Sequence, residues 1–73
     1  MRQIRKEFGL AVRKRREKLG FSQEKLAEIA DIHRTYVSSI ELGKVNVGIE
    51  VGDKIARALK ISFSQLLQKV ENL

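Results

Sequence analysis

Apolar side chains recur along this chain at three- and four-residue steps, interrupted by short polar runs. Ile4, Phe8, Ala11, Val12, Arg15 and Leu19 make the first such series. The spacing predicts a helix from about Arg2 to Leu19 with one buried stripe, ended by Gly20. Leu26, Ala27, Ile29 and Ala30 predict the buried side of a second helix, opened by Ser22 as N-cap with Phe21 and Leu26 spaced as a hydrophobic staple. A three-residue connection, Ala30 to Ile32, follows, and Asp31 within it tolerates a left-handed conformation. A third helix is expected over about His33 to Leu42, stopping at Gly43. Residues 43–48 hold two glycines and no sustained period, so they read as a loop. A fourth helix is expected from about Ile49 to Leu59, burying Ile49, Val51, Ile55, Ala58 and Leu59. In the fifth, Ser62 and Gln65 fit a capping box and Ile61 with Leu66 a staple. The pattern predicts an all-α architecture, five helices in one compact domain over residues 1–73.

Composition narrows the chemistry. At 73 residues the core is thin, and a second copy would help to stabilise it. There is no cysteine, hence neither a disulfide framework nor a thiolate metal site, as suits a reducing cytoplasm. No apolar run approaches the roughly 18 residues of a membrane span, and the basic first segment is unlike a signal peptide. His33 is the only histidine, so no metal cofactor is expected. Ser22 and Ser62 have no base arranged beside them and read as caps, not nucleophiles. Glu24 and Glu28, one helical turn apart, read as a solvated face. No catalytic constellation emerges, and no small-molecule site is evident.

Charge is more informative in its placement than in its sum. The net charge is +6, and residues 1–20, with eight basic and two acidic side chains, hold all of it. Such a segment can meet nucleic acid, an anionic surface, or only water.

The third predicted helix decides between these. With Val37 and Ile40 inward, Thr35, Ser38 and Ser39 point outward, and Arg34 and Tyr36 occupy the shoulders. Short hydroxyl side chains let a helix backbone approach closely. A major groove about 12 Å wide admits such a helix, and an arginine near its start can reach guanine O6 and N7. Two helices joined by a three-residue turn, the second bearing this face, predict a helix-turn-helix over residues 22–42.

The segment FSQEKLAEIADIHRTYVSSIELGK, residues 21–44, resembles the helix-turn-helix of the Xre/Cro-type repressor family, which implies a lambda-repressor-like DNA-binding domain. Its length and the run HRTYVSSIELGKVNV are also similar to the small controller proteins of restriction-modification systems. The resemblance implies that Arg34, Thr35, Ser38 and Ser39 contact bases of double-stranded DNA. It implies backbone contacts by Gln23, Tyr36, Lys44 and Asn46; His33 and the basic Arg13 and Arg16 join them as expected phosphate neighbours. Glu41 matches a structural position paired with an arginine of the first helix, here Arg13 or Arg16. Homodimerisation through the last helix, residues 62–71, directs attention to Leu66, Leu67, Val70 and Leu73. Two positions depart from the family: Asp31 stands where glycine is usual in the turn, and Val47-Gly48 where Pro and Ser or Thr usually precede the fourth helix. The expected function is a sequence-specific DNA-binding transcriptional regulator; the alternative is an antitoxin-like or adaptor module built on the same fold.

Overall fold

Ser22 and Ser62 start their helices as the sequence predicts. Ser22 is extended, and its hydroxyl accepts the backbone N–H of Lys25 at 2.9 Å. At Ser62 the box is reciprocal: its hydroxyl accepts from Gln65 N at 3.1 Å, and its own N–H donates to Gln65 Oε1 at 2.8 Å. Each bond satisfies an amide that the first helical turn leaves unpaired. The computed structural model describes all 73 residues, Met1–Leu73. They form α1 (Ile4–Lys18), α2 (Gln23–Ala30), α3 (Arg34–Glu41), α4 (Ile49–Ala58) and α5 (Phe63–Glu71), with no strand. The first helix is shorter than its apolar spacing suggested, beginning two residues later and ending one earlier.

The connections show why the chain turns where it does. Asp31 adopts the left-handed conformation, φ 57° and ψ 49°, that its short polar side chain tolerates. Gly43 closes α3 at φ +73°, and a Cβ there would lie 2.6 Å from Lys6 Cγ, so both conformation and space call for glycine. Gly48 caps α4 with no side-chain bond, as its lack of a hydroxyl requires.

α1 packs against α3 and α5, α2 against α3 and α4, and α4 against α5. Val12, Leu26, Val37, Ile40, Ile55, Leu59 and Leu66 are the large side chains fully withdrawn from water. Three residues expected inside are exposed: Ile4, Ile29 and Ile49. Ile4 and Ile49 are the first residues of their helices, with no preceding turn to flank them. Ile29 falls outside the arc of Leu26, Ala27 and Ala30, about 100° from its centre at 3.6 residues per turn. No helix is long and apolar enough to cross a membrane.

Candidate nucleic-acid interface

Gly9 brings α1 against the C-terminal end of α3. A Cβ at Gly9 would collide with the carbonyl oxygen of Ile40 and lie 2.7 Å from that of Glu41. Only a glycine lets the two backbones approach this closely.

Beside that contact lies a buried polar node. Arg16 Nε donates to Glu41 Oε2 at 2.7 Å and its Nη2 to Oε1 at 3.0 Å, a two-pronged pair. The remaining amino group donates to the Phe21 carbonyl at 2.8 Å. Gln23 Nε2 donates to Glu41 Oε1 at 3.0 Å. The Arg16 and Glu41 side chains are only 11% and 2% exposed. Hydrogen bonding to Glu41 raises the Arg16 pKa above its already high ordinary value, against an opposing effect of burial, so the guanidinium stays charged. The node joins the last turn of α1, the first residue of α2 and the last residue of α3. It fixes how α3 is held.

The sequence left Arg16 with two readings, a phosphate neighbour or the partner of Glu41. The structure selects the second: three of the five N–H donors of Arg16 engage Glu41 and Phe21 and the side chain is nearly buried, so it is a brace and not a phosphate contact. Arg15, placed on the buried stripe, is half-buried and donates to the Leu59 carbonyl at 3.0 Å, capping the C-terminus of α4. Arg13 stays at the surface and pairs with Glu17 at 3.2 Å, both more than half exposed. That pair is weak enough to yield to a phosphate.

With α3 held from behind, its outer side is open. Arg34 and Thr35 are exposed, and Tyr36, Ser38 and Ser39 are half-buried. None of these five side chains takes part in the internal side-chain hydrogen bonds, leaving their donors and acceptors free. His33 is the exposed N-cap of α3 and makes no side-chain cap. Lys44 and Asn46 are exposed on the loop beyond its other end. Gln23 is half-buried and bonded to Glu41.

The expected dimer residues divide. Leu66 and Val70 belong to the core of the single chain and cannot also form an interface. They lie four residues apart on the inner side of α5, which the short domain needs for itself. Leu67 and Leu73 are exposed, 43% and 48%. Leu67 joins Ile4, Phe8, Val45, Val47 and Phe63 around an apolar groove of about 190 Å³. Ile49, 77% exposed, lies just beyond that loop. Sequence reasoning missed this surface because the loop has no period and Ile49 was assigned to the buried side of the fourth helix; the clue was three β-branched residues at alternate positions, Val45, Val47 and Ile49.

Two helices crossing through a three-residue turn, the second showing an uncommitted polar face, make a helix-turn-helix. The chain belongs to the helix-turn-helix family, whose pattern matches residues 12–66. Control proteins are among its relatives. The chain is 43% identical over 72 residues to the control protein C.MunI of a Mycoplasma species, covering 97% of each. It is 48% identical over 65 residues to the control protein C.BamHI of Bacillus amyloliquefaciens, covering 88% of this chain and 80% of that one. Its fold is similar to the restriction-modification controller protein C.Esp1396I, solved as a tetramer with its natural 35 base-pair operator: TM-score 0.81, 28% identity, 93% of this chain and 95% of that one.

Proposed function

We infer that this chain is a cytoplasmic, sequence-specific DNA-binding regulator of transcription, acting as a homodimer in the manner of a restriction-modification control protein. The observation that carries the reading is the polar outer side of α3, free of internal bonds and mounted on the buried Arg16–Glu41–Gln23 node. A helix that must enter a groove has to be held rigidly from behind and left unsatisfied in front. Arg34, Thr35, Ser38 and Ser39 read base edges; Tyr36, His33, Lys44, Asn46 and Arg13 sit near phosphates. The operator complex of C.Esp1396I supports the assignment of duplex DNA as ligand.

A second copy docks on the apolar surface of Ile4, Val45, Val47, Ile49, Phe63 and Leu67, and places two α3 helices about 34 Å apart in successive major grooves. No enzymatic step is assigned. The Ser22 and Ser62 hydroxyls serve as caps.

Selection from a random duplex library at physiological salt tests the function. A two-fold symmetric site with half-sites about 10 base pairs apart is the expected product. Failure to enrich any sequence, with binding that disappears in moderate salt, would refute it.

A further inference from the structure

Three of the seven basic residues of α1, Lys14, Arg15 and Lys18, lie on the side away from α3. Gly9 and Arg16 face α3. Lys18 comes nine residues after Gly9, about half a turn round the helix at 3.6 residues per turn. On that far side Lys14, Arg15 and Lys18 of α1 and Lys69 of α5 line an open groove of about 580 Å³. No aspartate or glutamate side chain lines it. The acids nearest in sequence are occupied elsewhere, Glu17 with Arg13 and Glu71 with Arg2. Four cations around one concavity repel one another and focus a positive potential that folding alone does not require.

The lining indicates what kind of anion fits. Ala11 and Ile61 give the groove apolar surface, Gln68 supplies a free amide, and Gln65, its oxygen held in the α5 cap, still offers its NH2 to a peptide carbonyl. Phosphate recognition favours free arginine forks, but the one arginine here has its Nε committed to Leu59. Lysine ammoniums with apolar surface between them suit carboxylates interleaved with aliphatic side chains. We propose that the α1–α5 groove docks an acidic, amphipathic segment of a partner protein while α3 holds DNA. The simultaneity rests on the function inferred above, since a duplex in contact with α3 lies across the body of α1 from the groove; the groove's own chemistry does not depend on it.

The test uses the isotope-labelled full chain and a short synthetic peptide carrying Glu and Leu at helical spacing. Amide shifts should be confined to the far side of α1 and to α5. Affinity should fall about tenfold when Lys14→Gln, Lys18→Gln and Lys69→Gln are combined, as three exposed cation–carboxylate contacts would give. The same variant should hold its thermal midpoint and change binding to the selected DNA site less than about threefold. Shifts spread over α3, no shifts, or an affinity indifferent to the three lysines would overturn the proposal. Displacement of the peptide by a random duplex that shifts the groove residues would make the occupant nucleic acid and overturn it too. A protein that binds the peptide in the groove but selects no DNA sequence would refute the regulator and leave the groove standing.

Discussion

Arg16 and Glu41, twenty-five residues apart in sequence, meet in a two-pronged ion pair at 2.7 and 3.0 Å. The pair is nearly dry, so removing one partner strands the other. Arg16→Ala should destabilise the domain by about 3–5 kcal/mol in urea unfolding, whereas Arg13→Ala, from an exposed pair, should change it by less than about 0.5 kcal/mol. Equal losses for the two variants would mean that the node is solvated and carries no structural weight.

Gly9→Ala sets two effects against each other. Alanine is the better helix former by up to about 1 kcal/mol, yet its Cβ would strike the Ile40 and Glu41 carbonyls. Backbone cannot swing aside, so a net destabilisation of about 1–3 kcal/mol is expected. A gain in thermal midpoint would show that α1 and α3 stand further apart than described.

Base and backbone contacts separate by their response to sequence and salt. Arg34→Ala should cost about 1–3 kcal/mol on the preferred site and much less on random DNA. Lys44→Ala should weaken both alike and lower the salt slope by about one. An Arg34 variant weakened uniformly would move that residue into the phosphate group.

Leu66 and Leu67 are neighbours with opposite fates. Leu66→Ala should cost about 2–5 kcal/mol of stability, as for other buried leucines. Leu67→Gln should leave the monomer fold intact but shift the sedimentation equilibrium toward monomer. A Leu67 variant as dimeric as the parent would place the second copy on another surface.

How much of this was legible in the sequence can be traced residue by residue. The starts of α2 and α5 were, because a serine cap and its partner three residues on act within one turn. So was the turn, since Asp31 tolerates the left-handed conformation that the connection demands. Arg16 was not: apolar periodicity cannot see an arginine buried by a partner from another helix, and Arg15 next to it fits the stripe better. Knowing that Glu41 seeks an arginine narrowed the choice to Arg13 or Arg16; only the fold selects one. Gly9 left a trace, a glycine within a helical pattern, but a trace without a partner. Leu66, Leu67 and Val70 share an apolar run whose division between inside and outside is settled by the other helices.

The node and the Gly9 contact also determine where adjustment occurs when the protein meets DNA. α3 is clamped at its C-terminal end by backbone contact and by charge, and tethered at its start by a three-residue turn. It cannot tilt without breaking a buried ion pair. The softer partner is the duplex, whose pyrimidine–purine steps kink readily and whose A-tracts resist. Discrimination should therefore extend to base pairs no side chain touches, graded by the elastic energy needed to bring each half-site onto an unyielding helix.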